Sequence, residues 1–249
     1  MSGHSKWKTI KIKKGAADAK RGKVFTTHAK MIAIAAQAGG DPTMNASLKI
    51  AIERAKGDNV PNSNIERAIK KGTGEDKDAA AFEEITYEAM GPSGSAFLID
   101  AITDNKNRTL SNVRSIVTKY GGSLGAPGSV LWRFDKKAFL LVDPCGKSAD
   151  EAELTLIDCG ADDLKLCDGK YEVYAGADKL ATVKKAIEGA GFRVEKDELI
   201  WQAKDEMSVT DLGVAEKILN FMEAVDEDDD VTRVSNNVDI SEDLVAKLG

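Results

Sequence analysis

Long apolar runs are missing from this chain of 249 residues. No stretch approaches the roughly 18 residues that a membrane-spanning helix needs. No uninterrupted apolar segment follows the basic N-terminus to form the core of a secretory signal, and glycines break up the pattern of a mitochondrial presequence. Cysteine is scarce. Cys145, Cys159 and Cys167 make an odd, widely spaced set, which fits a reduced cytoplasmic protein and offers no disulfide framework. There are two histidines, His4 and His28. With so few, the chain shows no nucleophile beside a histidine, no metal-ligand cluster and no cofactor fingerprint. The expectation is a non-enzymatic protein without metal or cofactor.

What is present is charge, and it is segregated. Residues 1–34 hold nine Lys or Arg against one acid, Asp18, a net +8 inside a protein of net −6. Residues 1–77 carry 16 basic against 7 acidic side chains, whereas 78–249 carry 19 against 34, a net of −15. A basic segment of this density binds polyanions by releasing their counterions. Paired with an acidic remainder, it reads as a nucleic-acid-binding module attached to partner domains.

Periodicity divides the chain further. Residues 1–15 read as a basic arm, with Trp7 between Lys6 and Lys8 suited either to stack on a base or to cap a helical bundle. Helical patterns follow over 16–38, 43–56 and from Ser63 to a stop at Gly72. On the first, Val24, His28, Met31 and Ala35 share a stripe beside Phe25, Ile32 and Ala36, and His28 reads as a satisfied core group. Ser63-Asn64-Ile65-Glu66 has the form of a capping box. Ile65, Ala68 and Ile69 lie inward there, leaving Arg67, Lys70 and Lys71 outside.

After a linker at 73–80 the period changes. Strands are expected at 85–89, 95–103 and 130–134, with a helix at 107–120 and a loop at 121–128. Residues 137–203 then read strand, helix, strand, strand, helix, strand, the ferredoxin-like βαββαβ order. A helix at 210–224, a strand at 231–235 and a short helix at 241–248 close the chain. The fold class is thus α/β multidomain. A three-helix module at 1–77 precedes two α+β units of ferredoxin-like type, 137–204 being inserted into a domain made of 80–136 with 205–249.

Several segments invite chemistry. Thr103-Asp104-Asn105-Lys106-Asn107-Arg108-Thr109 sits where a strand passes into a helix. Lys106 and Arg108 there meet the positive end of the helix dipole, where cations are disfavoured. Free amides and two cations would make an anion pocket, which Arg114 could extend. The alternative is an ordinary cap with solvated side chains. The Gly-rich loop 121–128 lacks the spacing of a phosphate loop and reads as a chain reversal. The acidic run 226–230 lacks calcium-loop spacing. It reads as a solvated turn, or as a competitor folding back on the basic arm. Tyr171 and Tyr174 occupy a strand where RNA-recognition domains place stacking aromatics, without their signature. The nucleic-acid-binding set is Lys6, Trp7, Lys8, Lys11, Lys13 and Lys14 of the arm, Lys20, Arg21 and Lys23 of the first helix, Arg67, Lys70 and Lys71 of the third, and Lys106 and Arg108 of the turn.

These stretches resemble a known family. Gly3-His4-Ser5-Lys6-Trp7, Asp18 to Lys23, Pro61 to Lys70, Tyr87-Glu88 with Gly91-Pro92, Thr103 to Thr109, and Leu124-Gly125 with Gly128-Ser129-Val130 and Trp132 are similar to the motifs of the YebC family. That group includes a mitochondrial translational activator of cytochrome oxidase subunit I. The resemblance covers essentially the whole chain. One departure, Lys11-Ile12-Lys13-Lys14 in place of a His-Arg pair, keeps charge but loses arginine's planar fork. The resemblance implies one helical and two α/β domains around a cleft, in a cytoplasmic, non-enzymatic protein. It implies a DNA-binding transcriptional regulator or a ribosome-associated translation factor bound to ribosomal RNA. An acidic protein-interaction scaffold with no nucleic-acid role is the third reading. No membrane partner is expected. No recognition helix with Arg, Asn or Gln aimed at bases is visible.

Overall fold

A computed structural model describes residues 17–75, 80–241 and Leu244. The arm carrying Lys6, Trp7, Lys8, Lys11, Lys13 and Lys14 lies outside the described residues, as does nearly all of the expected closing helix.

Three helices come first: α1 (Ala17–Ala36), α2 (Ala46–Gly57) and α3 (Asn62–Thr73). Their core is Ile32 and Ala36 of α1, Leu48 and Ala55 of α2, and Ile65 and Ala68 of α3, closed by Val60. Asn45 joins the first two helices. Its side-chain oxygen caps α2 by accepting from Leu48 N, while its amide nitrogen donates to the carbonyls of Ala35 and Gly39 at the end of α1. Val24 is solvent-exposed and the packed stripe of α1 is the neighbouring one, through Phe25, Ala29, Ile32 and Ala36. The reason is the crossing of α3. A Cβ at Gly72 would stand 2.2 Å from the Ala33 carbonyl oxygen, so glycine is what lets the two backbones touch there. Gly72 is therefore a packing residue inside α3, and the left-handed stop falls two residues later at Gly74 (φ +75°). The expected capping box does not form. The helix starts at Asn62 after Pro61, placing Ser63 inside the first turn, and no side chain caps it.

The first sheet has the order β3-β1-β2-β9, from β1 (Glu83–Met90), β2 (Ala96–Thr103), β3 (Ser123–Leu124) and β9 (Val231–Asn236). β1 and β9 both pair antiparallel to β2. Helices α4 (Lys106–Lys119) and α7 (Leu212–Asp226) cover one face, packing Val113, Val117, Ile218, Phe221 and Met222 on Ala89, Phe97 and Ile99. The Phe97 and Phe221 rings lie 4.7 Å apart, an aromatic contact at the centre of this core. β8 (Met207–Val209) and β10 (Val238–Ile240) form a separate parallel pair.

The second sheet, β5-β6-β4-β7, comes from β4 (Phe134–Asp143), β5 (Asp163–Cys167), β6 (Lys170–Gly176) and β7 (Arg193–Ala203). Helices α5 (Ala149–Asp158) and α6 (Leu180–Gly189) cover it. This is the βαββαβ order expected from the sequence, with every pairing antiparallel. The chain enters at Phe134 and leaves at Ala203, and these two residues are paired neighbours. The whole sheet thus hangs from one point on the chain.

The strand expected at 130–134 is absent. Residues 131–133 form a 3-10 turn and β4 begins only at Phe134. The Val130 and Leu131 amides donate to the Glu88 carboxylate and cannot enter a ladder. Among the described residues no helix is long and apolar enough to cross a membrane.

Candidate nucleic-acid interface

On the helical module, Arg67 and Lys70 point to solvent from the outer face of α3, as the inward placement of Ile65, Ala68 and Ile69 requires. Lys71 is different. It lies over the Phe82 ring, 3.7 Å from its centre, and 3.6 Å from Asp104. Lys20 and Arg21 lie within α1.

The Thr103–Thr109 turn is a capped helix start with an unexpected partner. Asn105 is the N-cap, its side-chain oxygen accepting from Arg108 N at 3.1 Å. Lys106 pairs with Glu83 at 2.5 Å, both side chains more than half exposed. Arg108 turns back, reaching Asp104 at 3.0 Å and Asp230 at 2.9 Å. The two cations that suggested an open anion pocket are each already matched by a carboxylate. The helix-dipole conflict read from the sequence is answered inside the molecule.

Asp230 is the centre of this arrangement and is 6% exposed. Lys30, itself buried, donates to its Oδ1 at 2.6 Å and to the Asp229 carbonyl at 2.6 Å. The Thr109 hydroxyl lies 2.7 Å from Asp230 Oδ2 and 2.7 Å from Thr103 Oγ1. Lys23 donates to the Asp228 carbonyl at 3.0 Å. Burial pushes the Asp230 carboxyl up, but the bonds from Lys30, Thr109 and Arg108 outweigh it and hold the group well below the usual carboxylate range. The acidic run is therefore not a solvated turn. Its last residue is buried, and its backbone receives two lysines of α1. The run folds onto Lys23 and Lys30 of helix α1, while the basic arm it was expected to compete for lies outside the described residues.

A second buried carboxylate organises the Gly-rich loop. Glu88 accepts from Gly128 N at 2.5 Å, Val130 N at 2.6 Å and Leu131 N at 2.8 Å. Burial raises its pKa, and the three amides lower it by more. The amides that a phosphate loop would aim at its ligand are thus consumed, in keeping with a chain reversal. His28 bonds Asp58 at 2.6 Å with its ring largely buried, consistent with a satisfied core histidine. Tyr171 and Tyr174 are buried, so β6 offers no stacking aromatics. Among the described residues, no group of three or more His, Cys, Asp or Glu is arranged to hold a metal.

Sequence reasoning missed Lys30, Asp230 and Glu88. In the sequence Lys30 counts only as one cation of the basic N-terminal segment, and Asp230 ends an acidic run that reads as a solvated turn or a competitor for the basic arm. Glu88 carries no local signal, because its partners are some 40 residues away.

The geometry agrees with what the chain is similar to. Residues 5–75 match the TACO1/YebC protein N-terminal domain, and residues 82–238 match the TACO1/YebC second and third domain. A probable transcriptional regulatory protein of Geobacter sp. (strain M21) is 47% identical over 249 residues, covering all of both chains. One of Citrifermentans bemidjiense is 48% identical over the same length, again covering all of both chains. The crystal structure of a conserved hypothetical protein from Aquifex aeolicus superposes with a TM-score of 0.82 at 38% identity, covering 91% of this chain and 93% of that one. By sequence along its full length and by fold, this chain belongs to the TACO1/YebC family.

Proposed function

We propose that the protein is a nucleic-acid-binding regulator of transcription, acting in the cytoplasm without catalysis of its own, with the basic N-terminal segment as its grip. The observation that carries this reading is where positive charge remains available. Lys23, Lys30, Lys71, Lys106 and Arg108 have partners inside the molecule. Arg67 and Lys70 on α3 face solvent. The arm supplies Lys6, Lys8, Lys11, Lys13 and Lys14 ahead of α1. A polyanion would be gripped mainly by these cations, since the remainder of the chain carries a net −15 and adds little attraction of its own. The names of the Geobacter and Citrifermentans relatives favour DNA as the target. In the same reading the working units are 1–77, 80–136 with 205–249, and the inserted 137–204.

The test replaces Lys6, Lys8, Lys11, Lys13 and Lys14 together with Gln in the full chain. If all five neutralise phosphates, the slope of log affinity against log salt flattens by about 3.5 to 4.5 units. An unchanged slope in a folded variant refutes the grip.

A further inference from the structure

The chain spends a buried carboxylate on holding one aromatic ring in water. Trp132 is 67% exposed, on a turn where the loop from Gly125 meets β4. Single exposed apolar side chains are ordinary on a protein surface. What sets this one apart is that everything around it is fixed. Glu88 holds Gly128, Val130 and Leu131 by their amides, and the Glu88 carbonyl accepts from Gly125 N at 2.8 Å. Val130 and Phe134 on either side are buried with Ala96 and Leu98. Arg133 forks onto Asp205, and its carbonyl accepts from Lys204 N. The indole Nε1 donates to the Ser129 carbonyl at 3.1 Å, which fixes the ring by its edge. These contacts restrain the ring without burying it. The Arg133 guanidinium stands 5.9 Å from the ring centre.

We infer that Trp132 is a stacking platform for an unpaired base of a bound nucleic acid. The inference rests on the nucleic-acid reading above and names the chemistry of one contact within it. A base fits this feature better than a protein does. The exposed large apolar side chains of the turn are Trp132 and part of Leu131, beside the smaller Ala126 and Pro127, a patch short of the ~800 Å² per partner of a stable protein interface. A single π-face of fixed orientation matches one base, and stacking tolerates any sequence because every base has a face. The Gly128, Val130 and Leu131 amides are already engaged by Glu88, so those three groups are not offered to a phosphate, and the exposed face that the turn presents is the indole ring.

The experiment titrates the full chain with oligothymidylate, oligouridylate and a short DNA duplex, for wild type, Trp132→Ala and Trp132→Phe. Trp132→Ala should weaken single-strand binding about 5- to 150-fold, the range for one stacked base. Its salt slope should be unchanged, because no cation is removed. Duplex binding should change little, and Trp132→Phe should recover most of the loss. Quenching of tryptophan fluorescence by the single strand should shrink in Trp132→Phe. Equal affinity of Trp132→Ala and wild type for the single strands overturns the inference and leaves the proposed function standing. An equal loss for duplex and single strand also overturns it. If wild type binds none of the three probes, the nucleic-acid reading itself fails, and the inference with it.

Discussion

Replacing Asp230 by Asn tests the central electrostatic claim, that a buried carboxylate pins α1 to the α/β body. The change keeps the shape and removes the charge. Lys30, with a side chain 8% exposed, then faces a neutral amide. One amide oxygen cannot serve the donors that now share two carboxylate oxygens, and the amide hydrogens point at other donors. Breaking a buried pair by removing one partner costs about 3–5 kcal/mol. Two contacts survive, Lys30 to the Asp229 carbonyl and Arg108 to Asp104, which places the expected loss near ~3 kcal/mol. Urea unfolding followed by far-ultraviolet circular dichroism measures it. A double-mutant cycle with Lys30→Met isolates the pair term. The pH dependence is a second, independent readout. The folded-state pKa of Asp230 is lowered, so its stabilisation is present in full above the unfolded-state value, near ~3.9, and is lost as pH falls toward the folded-state value. The neutral amide of the Asp230→Asn variant has no such dependence. The gap between wild type and variant should therefore narrow as pH drops below about 4. A loss under about 1 kcal/mol at neutral pH refutes the reasoning. So does a gap that stays constant on acidification.

Two other positions test the packing around the site. Glu88→Gln keeps one acceptor but turns an amide toward three N–H donors, and should cost about 1–3 kcal/mol. Amide hydrogen exchange at Gly128, Val130 and Leu131 should accelerate, and unchanged protection at all three contradicts the account of the loop. Gly72→Ala sets helix propensity, which favours Ala by about 1 kcal/mol, against a Cβ 2.2 Å from the Ala33 carbonyl oxygen. The steric term should win with a net loss of about 1–3 kcal/mol, and a raised melting temperature shows that the crossing relaxes freely.

Lys23, Lys30, Lys106 and Arg108 each have a partner inside the molecule. A count of basic residues overstates the number of cations that have no partner inside the molecule. Removing Arg108 undoes part of the Asp230 cluster, whatever else the half-exposed side chain contacts.

The order of elements was legible in the sequence because it is written locally. Apolar periodicity and Gly or Pro stops marked the three helices, and alternation marked the βαββαβ run over 137–203, whose first strand in fact begins three residues earlier at Phe134. The two-residue β3 and the three-residue β8 and β10 escaped, being too short to establish a period. The basic character of the N-terminal segment was equally plain, since net charge needs no structure to be counted. What each charge touches was not legible. Lys30 and Asp230 are 200 positions apart, Arg108 and Asp230 are 122 apart, and each looks solvated among its chain neighbours. Their contacts depend on α1, the start of α4 and the turn between α7 and β9 meeting at one point, and no local pattern encodes such a meeting. The same holds at Gly72, which reads as a helix stop until a second helix is laid across it. Local propensity acts over a few residues. Which charge is neutralised, and which glycine is a contact, is set by packing between segments distant in the chain, and only the tertiary structure decides it.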